Sequence, residues 1–349
     1  MKIILDAMGG DNAPRSVVEG AVLAAREFGE QIVLVGDRAQ IEPLLSEFGA
    51  REDTRITVTH TSEVITMEDD AVQAVRRKKD SSLVVALSML AAGEGDALVS
   101  AGSTGAVLAG GTLMVKRIRG IRRAALAPIL PTERGGSLLI DCGANVDCTA
   151  EYLLQFAFLG HYYAKRQMGI ENPRIGLINN GAEETKGTDT LRETYALLRR
   201  ASEQGKINFV GNIEGRDIPL GAADVLVCDG FTGNVVLKTV EGVGMFFVGK
   251  VKEIFMRNAL TKLAALIVKP GLRTFKKMLD YKEVGGAPLL GISRPIIKAH
   301  GSCDAYAIRS AVSQAIVYVR SGMIAEIEAH VDEVTQLFAG EAEIKKENE

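Results

Sequence analysis

The amino-acid sequence predicts an α/β fold, a three-layer α/β/α arrangement around a largely parallel or mixed sheet, from three observations. Short β-branched or leucine-rich runs alternate with longer segments of helical spacing, the pattern of strands joined by helices that cover both faces of a sheet. Four predicted strands end in small-residue turns: Asp6-Ala-Met-Gly-Gly, Ser100-Ala-Gly-Ser-Thr-Gly, Asn179-Asn-Gly-Ala-Glu and Asp229-Gly-Phe-Thr-Gly-Asn. Such sheets bind ligands at the carboxyl ends of their strands, so the repetition points to one composite site. The 349 residues include 37 glycines, yet 47% are hydrophobic and no G-X-Y period exists. The glycines therefore belong in turns, caps and ligand loops rather than in a disordered or collagenous chain.

The apolar run at 3–6 gives a first strand, and Asp6 ends it too soon for the core of a signal peptide. Helical spacing at 16–28 is followed by β-branched runs at 32–35 and 56–59. Helices at 71–78 and 83–92 precede a strand at 97–100, and strands at 125–130 and 138–141 precede a long helix at 150–168. The alternation continues with a strand at 175–179, a helix at 188–202, strands at 208–212 and 225–228, and a helix at 234–255. A strand at 296–299 and a helix at 304–321 close the pattern. No long Pro/Ser-rich linker and no repeat of fixed period divides the chain. Residues 1–335 thus read as a single domain of two intertwined halves, and 336–349 as a charged tail.

Lys and Arg number 41 against 44 Asp and Glu, a net charge of −3, which argues against a protein that coats nucleic acid. Nowhere do 18 apolar residues run without a charge, so no spanning helix is expected. The four cysteines form no C-x-x-C pair, and the four histidines are scattered with no carboxylate cluster at ligand spacing. A reducing cytoplasm, no disulfide framework, and no metal or other cofactor are the expectations.

Gly9-Gly10-Asp11-Asn12 lacks the G-x-G-x-x-G spacing, and no G-x-x-x-x-G-K-[ST] occurs, so the common nucleotide fingerprints are missing. The turn Ala101-Gly102-Ser103-Thr104-Gly105 still offers an anion open backbone N–H groups, two hydroxyls and the start of a helix. Its plainer reading is a helix cap at Ser103 or Thr104. The same residues approach a nucleophile elbow, and Ser103, Asp229 and His300 follow in hydrolase order, but no H-G-G-G-type segment precedes them. Asn180, Glu183, Glu184, Lys186 and Thr188 crowd one loop, where an acid and a lysine can orient an oxyanion or simply face solvent. The segment from Asp229 through Thr232 and Asn234 to Lys238 joins a buried strand to a helix; its plainer reading is a turn with Asn234 as cap. Lys298-Ala-His300-Gly-Ser302 ends the last strand, where His300 has a pKa useful to an acid or base, or else a structural role.

Two basic regions remain. Lys116, Arg117, Arg119, Arg122 and Arg123 place five charges in eight residues, and 250–277 holds eight basic residues against one glutamate. In the second, Leu260, Leu263, Ala264 and Ile267 repeat at helical spacing, Lys269-Pro270-Gly271 turns, and Leu272, Phe275 and Leu279 repeat again. The spacing predicts a basic amphipathic helical hairpin at about 250–280, fit for an anionic membrane surface, an acidic partner, the core or a dimer mate.

Read together, these stretches, with Asp141-x-Gly-Ala-Asn145, Asn180-Gly-x-Glu-x-x-Lys-Gly187, Gly211-Asn-Ile-Glu-Gly-Arg-Asp217, Gly285-Gly-Ala-Pro-Leu-Leu-Gly291 and His300-Gly-Ser, resemble the bacterial phosphate acyltransferase family of the PlsX type, from about residue 1 to 325. Cys303 stands where that family usually has a serine. The resemblance implies a fold similar to the isocitrate and isopropylmalate dehydrogenase group, shared with phosphotransacetylase, usually as a homodimer. It implies that acyl-acyl carrier protein and inorganic phosphate give acyl phosphate and free carrier protein, with handover to a membrane glycerol-3-phosphate acyltransferase. Under it, Ser103, Thr104 and the Gly102 backbone cradle phosphate, with Lys186 and Lys298 balancing its charge. Asn180, Asn234 and His300 orient the carbonyl or protonate the leaving thiol, and Asp229 positions His300 or Lys238. Asp6, Asn12, Asn145, Glu183, Thr232, Lys238 and Ser302 complete the substrate site. The Lys116 to Arg123 run then faces the carrier protein, and Leu260, Leu263 and Ile267 the inner face of the cell membrane. Competing expectations are a serine thioesterase or hydrolase at Ser103, a dehydrogenase of the related fold, and a non-catalytic membrane scaffold.

Overall fold

The structure, a computed structural model, describes residues 1–279, 285–332 and 336–337. The charged tail lies almost wholly outside them, as do the side chains of Phe275 and Leu279. The chain builds β1 (Lys2–Asp6), α1 (Arg15–Phe28), β2 (Gln31–Gly36), α2 (Arg38–Glu47), β3 (Ile56–His60), α3 (Ala71–Arg77), α4 (Ser82–Ala92), β4 (Ala97–Ser100), α5 (Thr104–Gly110) and β5 (Ala125–Leu126). It then makes β6 (Ile129–Thr132), β7 (Gly135–Ile140), α6 (Ala150–Gln167), β8 (Arg174–Ile178), α7 (Asp189–Glu203), β9 (Asn208–Ile213) and β10 (Val225–Val227). A helical pair, α8 (Gly230–Met256) and α9 (Ala259–Leu279), leads back to β11 (Gly286–Leu290), β12 (Ile296–Ala299) and α10 (Ala305–Arg320).

The strands divide between two mixed sheets. One has the order β3-β2-β1-β4-β12-β11-β5, the other β6-β7-β10-β8-β9. Neighbours are parallel except at β11, which runs antiparallel to β12 and β5, and at β6, antiparallel to β7. Alternation along each strand sorts the layers. Ile3 and Leu5 join Leu138, Ile140, Val225 and Val227 of the other sheet in one core with Val18, Phe156 and Ile308, so α1, α10 and α6 form a shared middle layer. Ile4 points the other way, onto Leu87 and Leu90 of α4, while Leu139 and Leu226 pack outward toward Val236 and Leu237 of α8.

The run at 125–130, expected as one strand, serves both sheets: Leu126 pairs with Leu289, and Ile129 with Leu138. β11 was not expected because Gly285, Gly286 and Pro288 depress strand propensity, and α2 was not expected with Pro43 inside it. The hairpin turns at Arg257-Asn258 rather than at 269–271. There Asn258 N donates to Thr261 Oγ1 at 3.0 Å and Thr261 N to Asn258 Oδ1 at 2.9 Å, a reciprocal cap, and α9 runs on through Pro270. Contrary to the expectation of no spanning helix, α8 is long and apolar enough to cross a membrane by length and composition. Its first turn, however, is locked into the loop after β7: a Cβ on Gly233 would lie 1.9 Å from Asp141 O.

Candidate functional site

Parallel pairing of β1 with β4 and of β4 with β12 sets the loops after these strands side by side. They are strapped together. Asp11 N donates to Gly301 O at 2.8 Å, and Asn12 Nδ2 to Ser302 O and Cys303 O, each at 3.2 Å. Asn12 therefore holds the two loops against each other rather than presenting its amide to a substrate. Beneath them Asp6, 2% exposed, accepts from Ser82 Oγ at 2.6 Å and Ser100 Oγ at 2.7 Å. Ser100 Oγ in turn accepts from Gly102 N at 3.1 Å. This corrects two expectations: Asp6 is buried below the site, and the Gly102 N–H is committed to Ser100. Ser103 is the cap of α5, its Oγ accepting from Ala106 N at 3.5 Å, and Thr104 is exposed beside it.

In the second sheet, β10 lies between β7 and β8, so the loops after these strands also share an edge. Asp141 organises the first of them; burial pushes its carboxyl up, against the pull of its N–H donors. Asn145 is committed to that loop, its Nδ2 donating to Ala124 O at 2.8 Å and Asp141 Oδ2 at 3.0 Å. Asp229 is the cap of α8: Thr232 N donates to Oδ1 at 2.7 Å and Thr232 Oγ1 to Oδ2 at 3.0 Å. The helix thus starts at Gly230, and Asn234 sits exposed within its first turns rather than capping it. With both carboxylate oxygens on Thr232, Asp229 fixes the start of the helix. The loop after β8 is pinned by Asn212 Nδ2, which donates to Glu183 O at 2.9 Å, and by Asn179 Nδ2, which donates to Lys186 O at 3.2 Å. It exposes Asn180, Glu183 and Lys186 on the edge that carries Asp229.

The two edges meet through α8. Lys238 Nζ donates to Glu241 at 2.8 Å, and both charges act on His300. Thr104 and Lys298 from one half and Ala144 from the other line a common cavity of about 10 Å³, room for one water. Burial pushes Lys298, 7% exposed, down to about 8. For His300, burial and then Lys238 hold the imidazole below its usual value. Ser302 N donates to His300 Nδ1 at 3.3 Å, and Ser302 Oγ lies 2.9 Å from the same atom. A backbone N–H can only donate, so Nδ1 is an acceptor and the neutral ring carries its proton on Nε2.

That arrangement speaks against the hydrolase alternative. A Ser-His-Asp relay needs a proton on Nδ1 facing the carboxylate; here Nδ1 accepts from Ser302, and Asp229 is bound to Thr232. Ser82 and Glu241 stand in no motif and were missed, while Ser100 and Asp141 open quoted motifs at strand ends but were given no role. Among the described residues no group of three His, Cys, Asp or Glu side chains could hold a metal. The basic run is anchored by buried Ile118 and Ile121 and exposes Lys116, Arg117, Arg119, Arg122 and Arg123; Arg122 Nε reaches Glu151 at 3.1 Å.

A family model described as fatty acid synthesis protein matches residues 1–326. A phosphate acyltransferase of Alkaliphilus oremlandii is 49% identical over 327 residues, 94% of this chain and 96% of that protein. One from Clostridioides difficile is 42% identical over 337 residues, 96% of this chain and 98% of that protein. Among solved structures, a phosphotransacetylase from Streptococcus pyogenes superposes with a TM-score of 0.64 at 17% identity, covering 93% of this chain and 94% of that one. A branched-chain phosphotransacylase from Enterococcus faecalis V583 superposes with a TM-score of 0.56 at 16% identity, covering 91% and 99%. Likenesses this remote bear out the expected fold and nothing finer. The near full-length matches go further: the chain belongs to the phosphate acyltransferase family and is an acyltransferase.

Proposed function

We propose that the enzyme transfers a fatty acyl group from acyl-acyl carrier protein to inorganic phosphate, giving acyl phosphate for phospholipid synthesis. The observation that carries this reading is the approach of a hydroxyl and cations between the two halves, with Thr104, Lys298 and His300 on one side and Lys238 on the other. A phosphate oxygen attacks the thioester carbonyl carbon, the C–O bond forms and the C–S bond breaks. The proton that hydrogen phosphate brings leaves on the thiol, so the step balances without an acyl-enzyme. Holding both reactants in register replaces a bimolecular encounter. Charge growing on the carbonyl oxygen is met by N–H donors such as His300 Nε2, Asn234, Asn180 or the Lys186 ammonium.

The acidic carrier protein docks on the exposed run from Lys116 to Arg123 by charge complementarity. The enzyme works as a homodimer in the cytoplasm, peripherally attached to the inner face of the membrane, where acyl phosphate passes to a glycerol-3-phosphate acyltransferase. The exposed apolar side chains of the α8–α9 hairpin favour that attachment.

Thiol release from acyl-acyl carrier protein, measured with and without phosphate, tests the reading; release that ignores phosphate would sink it. In the same assay Lys186→Ala and His300→Ala should each lower turnover by about 100-fold. Arg122→Glu with Arg123→Glu should raise KM for the carrier protein and flatten its salt dependence. Wild-type turnover in both alanine variants would refute the site as drawn.

A further inference from the structure

Three elements converge below the turn that carries Ser103 and Thr104. Asp6 at the end of β1 accepts hydroxyls from Ser82 on α4 (2.6 Å) and Ser100 on β4 (2.7 Å), and Ser100 Oγ holds Gly102 N at 3.1 Å. Asp6, Ser82 and Ser100 are all at most 2% exposed. The packing leaves no slack, since a Cβ on Gly9 would lie 2.5 Å from Asp6 Oδ2 and 2.7 Å from Gly102 N. Lys298 pairs with Ser100 in the register of β12 with β4 and shares a cavity with Thr104; it interacts electrostatically with Asp6, whose own carboxyl burial pushes up.

We propose that Asp6 is a positioning residue for the anion site: through Ser100 it fixes the Gly102 to Thr104 turn, and through its charge it keeps the buried Lys298 ammonium protonated beside that turn. Hydroxyls and cation then meet the phosphate as one preset unit, which lowers the ordering cost of binding. The inference rests on the reading of this edge as the phosphate site. The groups acting on Lys298 are the Cys303 thiol after β12, Asp6, Asp11 in the loop after β1, and Lys238 on α8; the first three favour the ammonium and Lys238 opposes it. Burial is the larger influence and sets Lys298 at about 8, so its charge is sensitive to the loss of one neighbouring carboxylate.

The test is the KM for phosphate across pH in the thiol-release assay, for the full-length wild type, Asp6→Asn and Ser100→Ala. The wild type should lose phosphate affinity on the alkaline side near pH 8, where Lys298 deprotonates. Asp6→Asn removes an anion that favours the ammonium, so this limb should move to lower pH while KM rises about 10-fold. Ser100→Ala cuts the bridge while Asp6 keeps its bond from Ser82, so KM should rise while the limb moves less than in Asp6→Asn. Asp6→Asn with an unmoved limb, even if less stable, reduces Asp6 to a structural role and overturns the electrostatic half. Unchanged KM in Ser100→Ala overturns the turn-fixing half, and does so even if Asp6→Asn fails to fold. Wild-type turnover that ignores phosphate is a separate result, overturning the functional reading and this inference with it.

Discussion

The Asp141 carboxylate, fully buried, accepts from the backbone N–H groups of Leu126, Cys142, Ala144 and Asn145 and from Asn145 Nδ2, at 2.6 to 3.3 Å. Asp141→Ala would leave these donors without a partner in a site closed to water, and should cost about 3 kcal/mol or more. A urea titration of the variant against wild type measures that cost, and a difference below about 1 kcal/mol would contradict it. At this scale a polar position in a turn was easier to pick out than the way it faces. His300 and Lys298 stood out because a histidine or lysine at a strand end has few packing reasons to be there. Asn12, Asn145 and Thr232 sit in equally suggestive motifs, but their donors hold loops together. A polar side chain in a glycine-rich turn looks the same whether it faces a ligand or its own backbone. Ser82 gave no local signal, because its partner lies 76 residues away.

Among the elements, the α8–α9 pair departs most from a buried fold. Val243, Met245, Phe246, Phe247 and Ile254 on one helix and Leu260, Leu263, Leu266 and Ile267 on the other are exposed, and an apolar groove of about 700 Å³ with Lys252, Lys262 and Lys269 among its lining runs between them. Apolar faces this large, edged by lysines, suit an anionic bilayer surface. Leu263→Glu should therefore reduce co-flotation with vesicles containing anionic lipid several-fold while leaving thiol release in solution intact. Flotation equal to wild type would remove the membrane proposal. The helical periodicity here was legible, and so was the positive charge. The turn was misplaced because Lys269-Pro270-Gly271 carries a strong breaker, whereas the real turn depends on the reciprocal cap between Asn258 and Thr261.

For the molecule as a whole, the β-α alternation foretold the class of fold, and the strand-end turns fall on the edges of both sheets. It did not reveal that the strands belong to two sheets. Parallel pairing is non-local, and nothing in a run such as Val225–Val227 states which strand lies beside it. The deciding segment is the short crossing from β5 to β6, where Ala127 N donates to Pro288 O in one sheet and Leu139 N to Pro128 O in the other. Two sheets whose edge strands are joined by a two-residue crossing, and that share a middle helical layer, cannot melt independently. Calorimetry should show a single endotherm whose van't Hoff and calorimetric enthalpies agree; two resolved peaks would contradict this. The crossing also has a consequence for inheritance. A gene split between β5 and β6 would leave the second sheet whole but take β12 and β11 from between β4 and β5 of the first, laying bare unpaired backbone N–H and C=O groups on both sides of the break, so the first half could not be lent alone to another protein.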